Sequence, residues 1–158
     1  MKPVVFLLSI LLMASAASAE PFVVIVRHAE KANNDPKDPD LSPAGRARAD
    51  SLARILKDSQ IAAVFVSEFK RTQETAAPSA REGSVSPTII SAKDTASLVA
   101  KLRGLDGNAL VVGHGDTIPE LIKALGIQTP VNIRDDDYAE IFVVILGTQP
   151  QLLRLHYP

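Results

Sequence analysis

Three short apolar runs in this chain are each followed directly by polar residues that can do chemistry. Runs of this kind are typical of strands buried on both faces of a sheet. The carboxyl ends of parallel strands lie at one edge of a sheet, so groups that follow them can converge although they are far apart in sequence. The polar segments are Arg27-His28-Ala29-Glu30 after residues 22–26, Ser67 to Thr75 after residues 61–66, and Gly113 to Thr117 after residues 110–112.

The two histidines and two arginines in these segments suit phosphoryl transfer. Arg27 and Arg71 can each form bidentate hydrogen bonds with phosphate, and a helix beginning near Thr117 would add backbone N–H donors. A neutral imidazole can attack phosphorus, and neighbouring guanidinium charges lower the pKa of the imidazole and keep it neutral. We therefore expect one of His28 and His114 to be the nucleophile and the other to donate to the transferring phosphoryl group.

The elements that must position these groups alternate between strand and helix along the chain. Continuous apolar runs predict strands, and apolar residues spaced by three or four predict helices, so the pattern indicates a layered α/β domain. Pro78 is expected to end the second helix because proline disrupts a helix interior. We predict strands at 22–26, 61–66, 88–90 and 110–112, helices at 43–57, 70–77, 95–102 and 118–125, and a closing β-hairpin from 138–146 and 152–156.

The composition is that of one globular domain and excludes several classes of function. The chain has 158 residues, of which 46% are hydrophobic and 22% charged. A formal charge of −1 argues against general nucleic-acid binding, which needs a basic surface, and 4% aromatic residues leave little for base stacking. The absence of cysteine excludes a thiol nucleophile, a disulfide framework and cysteine-ligated metal sites.

The first nineteen residues have the pattern of a secretory signal peptide. Lys2 gives a positive start, residues 3–13 form an apolar run, and residues 14–19 are small, as a cleavage site requires. The run is shorter than the roughly 20 residues of a membrane span. We predict cleavage after Ala19 and a secreted or periplasmic domain of residues 20–158 without stable membrane insertion. An uncleaved N-terminal anchor is the alternative.

Four motifs resemble, in the same order, those of the histidine phosphatase superfamily, which includes the phosphoglycerate mutase-like enzymes. The resemblance covers residues 22–117 and implies a small phosphorylated substrate, no metal and no organic cofactor. Together with the element pattern it gives a three-layer α/β/α fold with a mainly parallel central sheet and a C-terminal β-hairpin. The motifs are Arg27-His28 with Asn34, Asp40 to Gly45, Ser67-x-x-x-Arg71-Thr72-x-x-Thr75, and Gly113-His114.

The resemblance also implies a role for each matched residue. His28 would be the phosphorylated nucleophile, Arg27, Arg71 and His114 would complete the phosphate pocket, and Asn34 would line it. These are the residues with which we expect a phosphate monoester or a phosphoramidate to be held and cleaved.

The general acid is where this sequence departs from the family pattern. One branch of the family has an Asp directly after the second catalytic histidine, but Gly115 stands there. The other branch has a Glu in the loop after the third strand, where Asp94 is the nearest carboxylate. Asp94 and Asp116 are therefore both candidates, and a chain without any such acid would be slow or restricted to good leaving groups.

Two other classes of function remain open. The same pocket in a non-catalytic protein would bind a phosphorylated ligand without turnover. Glu30 with His28, or Asp116 with His114, has the spacing of a metal-ligand pair, which would suit a metal-dependent hydrolase. The two arginines argue against that reading because fixed cations beside a metal site repel the ion. The sequence does not specify the substrate or the oligomeric state.

Overall fold

The computed structural model describes residues 20–158, so the segment predicted to be a signal peptide lies outside the described residues. The six strands are β1 (Phe22–Arg27), β2 (Ile61–Val66), β3 (Thr88–Ile89), β4 (Asn108–Gly113), β5 (Glu140–Ile145) and β6 (Gln151–His156). The four helices are α1 (Pro43–Leu56), α2 (Lys70–Glu82), α3 (Thr95–Arg103) and α4 (Thr117–Ala124).

The strands form a single sheet in the order β3-β2-β4-β1-β5-β6. Strands β1, β2, β3 and β4 all run parallel to one another. Strand β5 is antiparallel to β1, and β6 is antiparallel to β5. The predicted mainly parallel sheet with a C-terminal hairpin is thus confirmed. In this order the carboxyl ends of β1, β2 and β4 are adjacent, because β4 pairs with both of the others.

Helices cover both faces of the sheet, as the three-layer prediction requires. Alternate residues of β1 enter different cores: Val23 and Ile25 pack on the side of α3 and α4, and Val24 and Val26 pack on the side of α1 and α2. All four of these side chains are buried. This explains why the strand is a continuous apolar run rather than an alternating one.

The prediction that α2 ends before Pro78 is wrong, since the helix continues through the proline to Glu82. Proline removes one backbone hydrogen bond of a helix. The turn beyond Pro78 nevertheless buries Ser79 and Ala80, and Ala80 packs in the core between α2 and the sheet. Tertiary packing of a buried face therefore outweighs the local cost of the proline.

None of the helices within residues 20–158 combines the length and the apolar character that crossing a bilayer requires.

Candidate active site

His28 follows β1 and is held in one orientation and one tautomer. Its backbone N–H donates to the carbonyl of Gly113 at 2.9 Å, and its Nδ1 lies 2.8 Å from the carbonyl oxygen of Ala29. A carbonyl can only accept, so Nδ1 carries the proton and Nε2 keeps its lone pair. Burial is the main cause that lowers the pKa of His28 to about 3, and the charges of nearby Arg27 and Arg71 add to it. His28 therefore presents a neutral, nucleophilic Nε2 at ordinary pH.

His114 follows β4 and lies beside His28. The centroids of the two rings are 5.4 Å apart, and both residues are buried. Nε2 of His114 lies 2.9 Å from the hydroxyl oxygen of Ser67, which follows β2. Burial, and next the charge of Arg71, lower the pKa of His114. Three strand ends thus meet at this point, as the parallel arrangement predicts.

Arg27 joins the site to the loop before β5. Its Nη1 donates to the carbonyl oxygens of Arg134, Asp135 and Asp137 at 2.9, 2.8 and 3.2 Å, and its guanidinium lies 4.4 Å above the ring of Tyr138. Its Nε, in contrast, is buried and has no hydrogen-bond partner. Nη1 of Arg27 therefore binds the loop before β5, while the buried Nε is available to donate to another acceptor.

Arg71 lies in the first turn of α2 and repeats this arrangement. Its guanidinium lies 4.3 Å above the ring of Phe69, and that ring stands nearly perpendicular to the ring of His114, with centroids 5.4 Å apart. One Nη atom lies 3.8 Å from the carboxylate of Asp38, and the buried Nε has no partner. A buried donor without an acceptor costs about 1–3 kcal/mol. Two such guanidinium donors beside the histidines indicate a site built to receive an anion.

Helices α1 and α2 fix the backbone that follows His28. The hydroxyl of Thr75 accepts the N–H of Ala29 at 2.9 Å and donates to the carbonyl of Arg71 at 2.6 Å, so one side chain ties two parts of the site together. A Cβ atom at Gly45 would lie only 2.3 Å from the carbonyl oxygen of Glu30. Both residues belong to motifs visible in the sequence, but their spacing alone does not reveal what they contact.

Of the two predicted general acids, Asp94 is engaged in a hydrogen bond and Asp116 is exposed. The carboxylate of Asp94 caps α3 by accepting the N–H of Ser97 at 3.0 Å, and hydrogen bonding to the side chain and then the backbone of Ser97 lowers the pKa of Asp94. Asp116 is exposed at the start of α4. The sequence reasoning missed Glu68, whose carboxylate accepts the N–H of Ala92 at 2.8 Å; this bond is the main cause that lowers the pKa of Glu68. Neither Asp94 nor Glu68 is set up to hold a proton at neutral pH.

Asn34 lies in the loop between β1 and α1. Its amide nitrogen donates to the carboxylate of Asp40 at 2.6 Å, and its amide oxygen accepts the N–H of the same residue at 3.2 Å. Asn34 also lines an open cleft of about 630 Å³ together with Tyr138. Because Tyr138 packs on Arg27 and lies 6.1 Å from the His28 ring, the cleft adjoins the site.

The residues considered for a metal site do not form one. Within residues 20–158 no three carboxylate, histidine or cysteine side chains come close enough to hold an ion. Glu30 instead forms a forked ion pair with Arg48, with its shortest N–O distance at 2.7 Å. His156, the third histidine of the chain, lies on β6 with a largely exposed side chain.

The sequence model of the histidine phosphatase superfamily (branch 1) matches residues 23–93. The chain resembles this superfamily over that span. The matched span contains Arg27, His28 and Arg71, and His114 lies beyond it. A search of curated proteins returns no significant match.

Several solved structures of phosphatases share the fold of this chain. The protein histidine phosphatase SixA in complex with tungstate has a TM-score of 0.70 at 21% identity, with 85% of this chain and 96% of SixA covered. A mycobacterial glucosyl-3-phosphoglycerate phosphatase has a TM-score of 0.66 at 16% identity, with 87% and 99% covered. Phosphoserine phosphatase of Entamoeba histolytica, in complex with 3-phosphoglyceric acid, has a TM-score of 0.67 at 16% identity, with 87% and 98% covered. At these identities the likeness establishes the fold alone.

Proposed function

We propose that this protein is an exported, metal-independent phosphatase that hydrolyses a phosphate monoester or phosphoramidate through a phosphohistidine on His28. The observation that carries the proposal is the pairing of a nucleophile with an anion pocket. His28 is neutral, its Nδ1 proton is bound by the Ala29 carbonyl, and its Nε2 is free. The buried Nε atoms of Arg27 and Arg71 lack acceptors that a phosphoryl group would supply.

The reaction takes two displacements at phosphorus. Arg27, Arg71 and His114 hold the phosphoryl oxygens, and Nε2 of His28 attacks in line. The N–P bond forms as the bond from phosphorus to the leaving oxygen or nitrogen breaks, and the leaving atom takes up a proton. Water then attacks the phosphohistidine, the N–P bond breaks, and inorganic phosphate leaves with His28 neutral again. The guanidinium groups stabilise the charge that develops on the phosphoryl oxygens in both steps.

The placement of the carboxylates favours substrates with good leaving groups. Asp94 and Glu68 act as acceptors of backbone N–H groups and have lowered pKa values, so neither is poised to protonate an alkoxide. Loss of a general acid costs roughly 10²–10⁴-fold in rate. Phosphoramidates avoid much of this cost because their leaving nitrogen is readily protonated by water. We therefore place phosphoramidates and aryl phosphates ahead of alkyl phosphates as substrates.

Export is part of the proposal because residues 1–19 have the three regions of a cleavable signal peptide. The test is N-terminal sequencing of the protein recovered from the periplasm or the medium of a Gram-negative host. A mature N-terminus at Glu20 supports export, and a chain that keeps residues 1–19 and fractionates with membranes contradicts it.

The activity is tested by hydrolysis of para-nitrophenyl phosphate with a chelator present. We expect the wild type to turn over, His28→Ala to lose activity, and His156→Ala, which removes an exposed histidine on β6, to behave as wild type. Activity that survives in His28→Ala refutes the mechanism. Activity that the chelator abolishes and added metal restores identifies a metal-dependent hydrolase instead.

A phosphate-binding protein without turnover is the second candidate, favoured by the engagement of Asp94 and Glu68 in hydrogen bonds with backbone N–H groups. A folded wild type that binds vanadate but cleaves neither an aryl phosphate nor a phosphoramidate would establish that reading.

A further inference from the structure

The hydroxyl of Ser67 lies at the centre of a buried hydrogen-bond chain that ends on His114. Its oxygen is 2.9 Å from Nε2 of His114 and 3.0 Å from the hydroxyl oxygen of Thr72, and it accepts the N–H of Phe69 at 3.3 Å. Ser67, Thr72 and His114 are all buried. The proton positions along this chain decide which nitrogen of His114 carries hydrogen when the ring is neutral.

Two proton arrangements satisfy the chain. In the first, Thr72 donates to a carbonyl, either that of Phe69 at 2.9 Å or that of Ser67 at 3.2 Å, Ser67 donates to Thr72, and Nε2 of His114 must donate to Ser67. In the second, Thr72 donates to Ser67, and Ser67 donates to Nε2 of His114, which is then an acceptor. The Phe69 carbonyl keeps a partner in either case because it accepts the N–H of Thr72 at 3.1 Å.

The arrangements differ in what His114 offers to a phosphoryl group. No described residue hydrogen-bonds Nδ1 of His114, and this atom is not among the buried, unpartnered ones, so Nδ1 is the nitrogen left for a ligand. In the first arrangement a neutral ring presents a lone pair there, which repels a phosphoryl oxygen. In the second it presents an N–H, which binds one.

We propose that Ser67 is a positioning residue that donates to Nε2 of His114 and thereby keeps the neutral ring protonated on Nδ1, facing the phosphoryl group. The inference rests on the proposed phosphatase function. With both neutral rings protonated on Nδ1, the two histidines have complementary roles. His28 offers a lone pair at Nε2, and His114 offers a hydrogen-bond donor at Nδ1.

The charges around His114 make the choice of tautomer matter. Arg71 on α2 and Arg27 at the end of β1 disfavour protonation of the ring, whereas Asp116 on the α4 side and Glu68 before α2 favour it. Burial and the arginines prevail, so the pKa of His114 is lowered. A ring that stays neutral can donate to phosphate only if its single proton is on Nδ1.

The direct test is the ¹⁵N NMR spectrum of the histidine-labelled wild-type protein near pH 8, which does not depend on turnover. The chain has three histidines, so His28→Ala and His156→Ala complete the assignment. We expect Nε2 of His114 to show a pyridine-type shift and Nδ1 a pyrrole-type shift. The reverse pattern would overturn the inference even if the protein is an active phosphatase.

The kinetic test compares Ser67→Ala with wild type over pH 5 to 9 on an aryl phosphate. Removing a partner that orients a functional histidine costs about tenfold or more. We expect at least a tenfold loss of kcat at pH 8, where His114 is neutral, and a smaller loss at any pH low enough to protonate the ring fully, because a doubly protonated His114 donates without Ser67. Ser67→Thr, which keeps the hydroxyl, should restore the wild-type profile.

Ser79→Ala is the matched control, because Ser79 is also buried but its hydroxyl has no partner and lies outside the site. It should leave the pH profile unchanged. A Ser67→Ala variant that keeps the wild-type kcat at pH 8 refutes the positioning role. A wild type without any turnover refutes the proposed function but leaves the NMR result to decide the tautomer.

Discussion

Gly45 is the position at which the smallest change should do the most damage to the site. The residue lies in the first turn of α1, where the helix meets the backbone that follows His28. An added Cβ would lie 2.3 Å from the carbonyl oxygen of Glu30 and 3.0 Å from its nitrogen. Ordinary contact begins at 3.4 Å, so α1 and this backbone must separate by about 1 Å in Gly45→Ala.

The cost follows from the contacts that the separation breaks. Overpacking against rigid backbone costs about 1–3 kcal/mol, and the hydrogen bond from the Ser42 N–H to the Glu30 carbonyl, now 2.9 Å, contributes about 1 kcal/mol more. A destabilisation of about 2–4 kcal/mol in a domain of this size lowers Tm by roughly 7–14 °C. Because Glu30 is two residues from His28, we also expect kcat to fall by about tenfold or more.

Thermal unfolding followed by circular dichroism, with kcat measured well below the transition, checks both effects. Gly104→Ala is the control: Gly104 ends α3 at a φ of −93°, and a Cβ there would have no neighbour closer than 3.7 Å. The free energy of unfolding of that variant should equal that of wild type or exceed it by up to about 1 kcal/mol. Equal Tm and kcat for Gly45→Ala and wild type would refute the packing argument.

Three further variants probe the surroundings of the site. Thr75→Val keeps the shape but leaves the buried N–H of Ala29 without an acceptor, so unfolding by urea should show a loss of about 1–3 kcal/mol. Arg48→Met tests the ion pair with Glu30: burial alone raises the pKa of Glu30, but the Arg48 hydrogen bonds and charge help to bring it below 4.5. A carboxyl whose pKa is lowered in the folded state stabilises the fold while it is ionised, and this stabilisation is lost as it becomes protonated at low pH. The Tm of the variant should therefore be lower than that of wild type at pH 6, and the difference should shrink toward pH 3. A difference in Tm that stays constant with pH would contradict the pairing. Tyr157→Phe removes a buried hydroxyl that has no partner, so calorimetry should show equal or greater stability, and a clear loss of stability would reveal an unrecognised partner.

Much of the fold was predictable because each element has a simple local cause. Continuous apolar runs such as Phe22 to Val26 can be satisfied only in a strand covered on both faces. The continuation of α2 past Pro78 was not predictable, because a local rule about proline does not include the buried contacts of Ala80 two residues later. The predicted helix boundaries otherwise differ from the observed ones by about one residue.

The convergence of the strand ends was predictable from the sequence, but the contacts made there were not. Strand ends and motif spacing bring His28 and His114 together, and the ring separation of 5.4 Å agrees with that expectation. The partner of His114, Ser67, could not be read from the sequence because the hydrogen bond joins two different strand ends. The general acid was sought among carboxylates at expected positions, but Asp94 is engaged in capping a helix.

Covalent phosphorylation of Nε2 of His28 is the step on which the proposed mechanism depends. The measurement is rapid quench of the wild-type protein with an aryl phosphate or a phosphoramidate, with chelator present, followed by mass spectrometry of peptides kept at alkaline pH to preserve phosphohistidine. We expect one phosphoryl group on His28, and no such adduct in His28→Ala. Steady turnover without any labelled histidine, or with the label on another residue, would contradict it.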